Sequence, residues 1–349
     1  MKTRLFYIDY IRLFLCCVVI FHHTAIGFGA SGGWYYYSPT RLEGLSQLLY
    51  SILMGIDQSY FMSLFFFVSA LFTPQSLERK GVTGFLRDRF FRLVVPMLLY
   101  IFVLNPILIW YIYPSAGYEC QLGPLWFVFS LLFFELSYIL IRKAHLTIPP
   151  IRVNTRSMSI FALSTGLLAF TLRIFTRTNE SFMGITLANF ILYIAMYAMG
   201  IIAARQNLLD SLSLRRSSKW LLFAALWIFI MLASTNDNIE NTSGGFNITS
   251  LAYSLWEAVS CVAISYSLLT VGKRFLNVSH PLFESLAADS FIAFVIHPFP
   301  VVWLTMVMED THICPELLIP ITSILAIVLS LTIAHTIRCL CHRMNYKWV

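Results

Sequence analysis

The chain has 349 residues, of which 58% are hydrophobic and only 12% are charged. An average soluble domain carries about 25% charged residues, so this composition excludes an ordinary soluble protein and favours a membrane protein. The formal net charge is +7, but the basic residues stand in short clusters between apolar runs. That pattern is typical of an inner membrane surface rather than of a nucleic-acid groove. Seven scattered cysteines predict neither a disulfide scaffold nor a metal site.

Apolar runs long enough to cross a bilayer recur along the whole chain. Because a transmembrane helix needs about 20 predominantly apolar residues, these runs predict about ten membrane-spanning helices. They lie near residues 8–29, 46–73, 93–113, 124–141, 158–175, 184–203, 219–235, 248–271, 286–307 and 316–338. No separate soluble domain or low-complexity linker stands out. We therefore expect an all-α integral membrane protein with a single domain over residues 1–349.

The basic residues divide unevenly between the two sides of the predicted bundle. The 24 lysines and arginines fall in one set of loops and termini, except Arg12, Arg41, Arg173 and Arg177. Because lysine and arginine are enriched in cytoplasmic loops, we expect cytoplasmic termini and a multi-pass protein of the cell's inner (plasma) membrane. Cys120 and Cys314 fall in outer loops, where oxidising conditions would allow a disulfide, although isolated cysteines are more often free.

The first predicted helix carries ionisable residues at membrane depth. Asp9, Arg12, His22 and His23 interrupt the apolar sequence YIDYIRLFLCCVVIFHHT. Such groups are costly in a bilayer and indicate a partner or a function. Arg12 and His23 project only about 20° apart, with His23 roughly 16 Å further along the helix, whereas His22 projects about 100° away. A local Asp9–Arg12 ion pair and a core histidine would explain the pattern structurally, but the shared stripe favours a functional site.

The second predicted helix contains the segment FMSLFFFVSALF. Ser69 and Ala70 are small residues in an aromatic run, which indicates close helix packing more often than a nucleophile. Asp57 lies in the outer half of the same helix. We expect this carboxylate to face a watery cavity or to meet a histidine.

Arginines precede the third predicted helix in the sequence FLRDRFFRLVVPMLL. Arg87, Arg89 and Arg92 alternate with aromatic residues and precede Pro96. Ordinary positive-inside anchoring by snorkelling side chains explains such a cluster. The alternative is a phosphate site, because the arginine fork matches phosphate oxygens better than lysine does.

The ninth predicted helix contains a histidine followed by two prolines. His297 falls near the middle of the segment DSFIAFVIHPFPVV. Proline kinks a helix and frees carbonyls that then need partners, so a histidine at this point is a functional candidate. Together with His23, at similar depth, it predicts a polar site within the bundle. Glu135 and Glu257 are further intramembrane carboxylates, and either would suit an arginine partner.

This ordered set of motifs resembles the acyltransferase 3 family of integral membrane proteins, which transfer acyl groups onto glycans and other extracytoplasmic acceptors. YIDYIRLFLCCVVIFHH is similar to the family's Y-x-D-x-x-R-x10-H, and MSLFFFVSALF to its FFxxSG, with Ala70 in place of glycine. FLRDRFFRLVVP is similar to R-x-x-R-x-x-x-P, and SFIAFVIHPFPVV to S-x-x-x-Y-L-x-H-x-P. PLWFVFSLLFFEL is similar to a further family segment. The resemblance covers most of the chain, implies a ten-helix plan and is nearer to the glucan-modifying branch.

The resemblance implies acyl-CoA, most often acetyl-CoA, as a cytoplasmic co-substrate, with no tightly bound cofactor. The implied catalytic residues are Asp9, Arg12, His23 and His297. The implied donor-binding residues are Ser69, Arg87, Arg89 and Arg92, with the arginines on the CoA phosphates. His23 would act as general base on an acceptor hydroxyl, because imidazole titrates near neutral pH. Arg12 would lie near the pantetheine entrance, oriented by Asp9, and His297 would assist proton transfer. Direct transfer and an acyl-enzyme route both fit.

A proton-coupled secondary transporter of a small polar solute is the alternative, since membrane histidines and proline-kinked helices occur in such carriers. The arginine cluster and the lack of an evident inverted repeat favour the acyltransferase, and an inactive scaffold would not need histidines at depth. The expected partners are the acyl-CoA donor, a glycan or glycolipid acceptor and membrane lipid, without nucleic acid. The aromatic run at residues 34–37 fits either sugar stacking or an interfacial belt.

Overall fold

The computed structural model describes residues 4–142, 149–181, 184–233 and 239–343 of the chain. These residues form α-helices joined by short loops, and β-strands are absent from them. The helices are α1 (Phe6–Gly27), α2 (Gly44–Arg89), α3 (Val95–Leu99), α4 (Asn105–Ile112), α5 (Trp126–Arg142), α6 (Thr155–Arg173), α7 (Phe190–Gln206), α8 (Leu214–Ala233), α9 (Ile248–Phe275), α10 (Pro281–Ile296), α11 (Pro298–Met308) and α12 (Pro315–Arg343). Lys2, Lys143 and Lys347, which entered the topology prediction, lie outside the described residues.

Within the described residues, each of the ten predicted spans falls on helical structure, to within a few residues at its ends. The last two residues of the seventh span, 234–235, lie outside the described residues. Within the described ranges, six helical segments are long and apolar enough to cross a membrane, or seven if the bent pair α10–α11 is one span. The six are Phe6–Gly27, Gly44–Ile112, Gly123–Arg142, Leu187–Gln206, Ile248–Phe275 and Pro315–Arg343. The prediction of an all-α membrane protein is therefore confirmed. The number of spans and the cytoplasmic position of the termini stay predictions.

The longest helical segment, Gly44–Ile112, contains the second and third predicted spans. It has 69 residues, so a straight helix of this length would extend roughly 100 Å, about three times the thickness of a bilayer core. Gly81 breaks it with a φ of 66°, a left-handed conformation that glycine adopts without strain. Further along, Phe90–Val94 and Tyr100–Leu104 are π-helical. Each is followed by a proline, which cannot donate the regular helical hydrogen bond.

The chain divides into two compact units. The first comprises Met1–Gln58, Arg89–Val128 and Val278–Val349. In this unit α1 packs against α10, α11 and α12. A buried apolar cluster near the carboxyl end of α1 joins it to the loop that follows and to α12; its members include Ala25, Ile26, Phe28, Leu42, Met54, Leu318 and Ile319. The carboxyl end of α1, which carries both histidines, is therefore held from several sides.

The second unit comprises Ser59–Asp88 and Phe129–Asn277. Its central helix is α9, which packs against α6 and α8, while α6 also contacts α7. Two asparagines begin helices here by accepting a backbone N–H hydrogen bond, Asn154 from Ser157 at 2.9 Å and Asn247 from Ser250 at 2.8 Å. On α8 a stripe of large apolar side chains is exposed, as expected of a helix that faces lipid: Leu222, Leu226, Phe229 and Ile230.

Small residues bring α2 and α7 into close contact within the second unit. A Cβ atom built on Gly200 would lie 2.4 Å from the backbone oxygen of Phe67 and 2.7 Å from the Cβ of Ala70. The interpretation of Ser69 and Ala70 as a packing segment is thereby supported at Ala70. The facing helix α7 carries a glycine, Gly200, opposite Ala70, so the two backbones approach closely.

We expect Gly200→Ala to destabilise the protein by about 1–3 kcal/mol. In a helix interior, alanine is normally more stabilising than glycine by roughly 1 kcal/mol. Here, however, the added methyl group would lie 2.4 Å from a backbone oxygen and would overpack the contact between α2 and α7. Thermal unfolding in detergent measures the change. Gly117→Ala is the matched control, because a Cβ there meets nothing within 4 Å, and its effect should stay within about 0.5 kcal/mol. Equal stability of the two variants would contradict the close packing.

Candidate active site

Three aromatic rings from separate parts of the first unit meet at the carboxyl end of α1. The imidazole of His23 stacks on the indole of Trp34, with ring centroids 3.8 Å apart and planes 15° apart. The imidazole of His297 lies 5.4 Å from that of His23 and 5.8 Å from Trp34, again at 15°. The two histidines that the sequence places in one polar site are therefore brought together.

The interplanar angles and centroid distances describe how the rings are arranged. All three ring planes are nearly parallel, since each pair of planes meets at 15°. The shortest centroid distance joins His23 to Trp34, so the indole covers one face of the His23 imidazole. His297 is the third ring of this parallel group.

Proline chemistry explains how His297 is held. His297 lies between α10 and α11, whose axes bend by 69°. Pro298 cannot donate the regular helical hydrogen bond to the carbonyl of Phe294. That carbonyl instead lies 2.6 Å from Nδ1 of His297. The predicted kink is confirmed, and the freed carbonyl has the histidine itself as its partner.

This hydrogen bond assigns the state of the His297 ring. Because a carbonyl only accepts, Nδ1 carries the proton and Nε2 of neutral His297 is an acceptor. His297 Nε2 and His23 Nδ1 are both buried and have no hydrogen-bond partner among the described residues. The His23 side chain as a whole is only half-buried, so its accessible part lies away from Nδ1. A buried polar atom without a protein partner needs an explanation, and for two imidazole nitrogens in neighbouring rings a bound polar group or a proton transfer provides one.

His22 has different surroundings from His23. It is buried, its ring stands 86° from that of His23, and its Nδ1 lies 3.7 Å from Oδ2 of Asp57. The alternative in which Asp57 meets a histidine is confirmed, and that histidine is His22. The two adjacent histidines therefore face separate environments, as their 100° separation on a helix predicts.

The loop after α1 is anchored by the two tyrosines that follow Trp34. The Tyr35 hydroxyl donates to Oδ1 of Asn105 at 2.8 Å and lies 2.9 Å from the Tyr100 hydroxyl. The Tyr36 hydroxyl approaches both carboxylate oxygens of Glu309, at 2.9 and 2.7 Å. Burial raises the pKa of Tyr35 to about 12, and burial together with the bond to Glu309 raises the pKa of Tyr36 to about 12. Both hydroxyls stay protonated at neutral pH and hold the loop as donors.

The opposite end of α1 carries a network of charges. Asp9 shares its carboxylate between Arg12, 3.6 Å away, and Arg4, 3.0 Å away. Arg4 also contacts Glu284 at 2.7 Å. The positive charge of Arg89 acts on Arg12. The predicted local pair of Asp9 and Arg12 is confirmed, and Arg89, from the predicted arginine cluster, interacts with Arg12 electrostatically.

A sequence model of an acyltransferase domain, Acyl_transf_3, matches residues 5–337. The chain belongs to the acyltransferase 3 family. It is therefore a multi-pass membrane acyltransferase, and the family assignment favours group transfer over solute transport. No curated protein sequence shows significant similarity to the chain.

The remaining predicted site residues of this acyltransferase are distributed over both units. Arg89 and Arg92 belong to the first unit, whereas Ser69 and Arg87 belong to the second. Arg87 and Arg92 are exposed and Arg89 is half-buried. Residues two apart in a regular helix project about 200° apart, so Arg87 and Arg89 point in different directions. The role of all three arginines in one donor site stays a prediction.

One of the other polar groups predicted from the sequence, Glu257, has a structural role in this acyltransferase. Glu257 forms a buried ion pair with Arg173 at 2.6 Å, and Asn189 and Ser254 also accept hydrogen bonds from that arginine. The expectation that Glu257 serves as an arginine's partner is confirmed. Cys120 and Cys314 are both free thiols.

Trp34 and Arg4 are site residues whose positions the sequence does not predict. From the sequence alone, Trp34 belongs to an aromatic run suited to a membrane belt or a sugar, and Arg4 only to the basic amino terminus. Their positions depend on a loop returning over α1 and on α10 lying beside it. The sequence signal that could have indicated the stacked pair is the presence of Trp34 in the segment directly after the helix that carries His23.

Proposed function

We propose that this acyltransferase moves an acyl group, most simply acetyl, from cytoplasmic acyl-CoA to a hydroxyl of a glycan or glycolipid across the inner (plasma) membrane. The observation that carries the proposal is the His23–His297 pair next to Trp34, on the same helix as the Arg4–Asp9–Arg12 network. Along α1, Arg12 and His23 are roughly 16 Å apart. A donor with charged phosphates at one end and a thioester at the other suits that separation.

The charged network is the proposed site for the phosphates of the donor. The positive charge of Arg89 acts on that of Arg12, and a dianionic phosphate bound by both would offset this repulsion. Arginine suits this role because its fork of N–H groups matches phosphate oxygens. Asp9 positions Arg12 and is itself held by Arg4. The flexible pantetheine arm would then extend along α1 toward His23.

The histidine pair is the proposed centre of chemistry. The half-buried ring of His23 would take the proton of the acceptor hydroxyl at Nε2 while the oxygen attacks the thioester carbonyl. The new C–O bond forms and the C–S bond breaks. The departing CoA thiolate then takes that proton from the imidazolium of His23. The products are an ester of the acceptor and free CoA.

His297 is proposed to support His23 through the two unpaired nitrogens. When Nε2 of His23 is the base, Nδ1 of the same ring carries a proton and needs an acceptor. The His297 ring beside it presents Nε2 as an unpaired acceptor. A hydrogen bond between these atoms would satisfy both and would stabilise the imidazolium that forms during transfer.

An assay with purified full-length protein tests the proposal directly. Acetyl-CoA is supplied with and without a glucose oligosaccharide, and free CoA and acetylated sugar are both measured. We expect CoA release to rise with the sugar and to match the ester formed. Comparison of cell-surface glycans by mass spectrometry, with and without the protein, then identifies the natural acceptor. Release of CoA that no hydroxyl acceptor stimulates, together with unchanged surface glycans, would contradict the proposed function.

We expect Trp34→Ala to reduce transfer about 2- to 10-fold and to raise the hydrolysis of acyl-CoA relative to transfer. An aromatic pair contributes about 0.5–1.5 kcal/mol, and loss of the indole uncovers one face of the His23 imidazole to water. The ratio of free CoA to acetylated acceptor measures the effect. Trp34→Phe is the control, because a smaller ring still stacks. Unchanged ratios in both variants would show that Trp34 does not shield the site.

A further inference from the structure

A second group of reactive side chains lies at the other end of the first unit. The Sγ atom of Cys339 lies 3.5 Å from Nε2 of His335, one helical turn earlier on α12. Nδ1 of the same imidazole lies 3.0 Å from Oδ2 of Asp289 on α10. A thiol, an imidazole and a carboxylate thus stand in sequence, each within contact of the next.

This order is that of a nucleophile, a base and the group that orients the base. Asp289 is fully buried, whereas His335 and Cys339 are exposed. Arg338 contacts Asp289 through Nε at 2.5 Å, and its Nη2 lies 3.1 Å from Nδ1 of His335. When Nδ1 carries the proton that it donates to Asp289, this second approach is a contact and not a hydrogen bond, because arginine only donates. The arginine fixes the carboxylate, and its positive charge favours a thiolate nearby. A salt bridge alone explains Arg338 and Asp289, but it does not account for an imidazole placed between the carboxylate and an accessible thiol.

The position of the cluster connects it with the charged end of α1. Arg338 also donates to the side chain of Ser285, at 2.9 Å. The neighbouring Glu284 contacts Arg4, which in turn holds Asp9. The thiol therefore lies at the same end of the α1, α10 and α12 bundle as the network to which the phosphates of the donor are assigned.

We propose that Cys339 is an acyl-accepting thiol that is acylated by the thioester donor of this protein. The proposal rests on the proposed acyl-CoA donor. His335 takes the thiol proton at Nε2, and the thiolate attacks the thioester carbonyl. A new C–S bond to Cys339 forms and the C–S bond to CoA breaks. The CoA thiolate then receives the proton from His335. One thioester replaces another, so the step needs no further reactant.

The test is to incubate full-length protein with acetyl-CoA, without an acceptor, and to map acetylation of its cysteine-containing peptides by mass spectrometry. We expect acetyl on Cys339, removed by neutral hydroxylamine as a thioester is. Cys120 and Cys314 are internal controls, since both are exposed and neither has a hydrogen bond to a histidine in the described part of the chain. Cys341→Ser is the matched variant that should leave labelling of Cys339 unchanged. Cys339→Ser should abolish the thioester.

His335→Gln separates an activated thiol from a merely exposed one. We expect labelling of Cys339 to slow about 100-fold, as for loss of a general base, while a maleimide still reaches the thiol. Labelling of Cys120 and Cys314 as fast as Cys339, or an unchanged rate in His335→Gln, would overturn the proposal. Protein that acetylates an acceptor while Cys339 stays unlabelled would also overturn the proposed thiol site. That outcome would leave the proposed function intact. Labelled Cys339 without any transfer to an acceptor would support the thiol site and count against the proposed function.

Discussion

His23→Ala is expected to lower acyl transfer by about 10²- to 10⁴-fold, the usual contribution of a general base. Its ring stacks on Trp34 and lies next to His297, so removal takes away the proposed base and also the partner proposed for Nε2 of His297. Expression and membrane insertion should stay normal, because the side chain is only half-buried at the end of α1. Initial rates with acetyl-CoA and a hydroxyl acceptor, normalised to folded protein, measure the loss.

His22→Gln is the control for this prediction. It changes the neighbouring imidazole, whose contact is the carboxylate of Asp57 at 3.7 Å, and it keeps a polar group there. We expect this variant to lower thermal stability while transfer falls by less than about tenfold. Near-normal transfer by His23→Ala would remove His23 from the chemistry. A loss in His22→Gln as large as in His23→Ala would move the base to His22.

The features that the sequence predicts correctly are those that depend on local rules. Helical periodicity separates His22 from His23, and the structure gives them different neighbours. Spacing of three residues pairs Asp9 with Arg12. The missing N–H of Pro298 predicts both the kink and a carbonyl in need of a partner. Each of these needs only the geometry of one helix.

The features that the sequence does not reveal depend on contacts between distant segments. The indole of Trp34 reaches His23 because the next two residues of its loop, Tyr35 and Tyr36, bind Asn105 and Glu309 of other segments. Cys339 acquires a base within its own helix, but the carboxylate that orients that base comes from α10. No periodicity or motif relates such positions, since loop paths and helix neighbours are set by packing of the whole unit.

Loss of either arginine of the proposed phosphate site should weaken binding of the acyl-CoA donor. We expect Arg12→Gln and Arg89→Gln each to raise KM for acetyl-CoA about 10- to 100-fold, because a hydrogen bond to a charged group contributes about 1.5–3 kcal/mol. Folding should survive in Arg12→Gln, since Asp9 keeps its closer contact with Arg4. Arg142→Gln is the matched control, as this exposed basic residue ends α5 and its loss should leave KM unchanged.

A shorter donor decides what the two arginines bind. S-acetylpantetheine carries the same thioester as acetyl-CoA but lacks the nucleotide and its phosphates. If Arg12 and Arg89 hold those phosphates, both variants should use this donor as well as the wild-type protein does, although every form will bind it weakly. The salt dependence of KM for acetyl-CoA should also decrease, because fewer charges pair on binding. An equal defect with both donors would place Arg12 and Arg89 at the thioester or in the structure of α1, and would leave the phosphates to other residues.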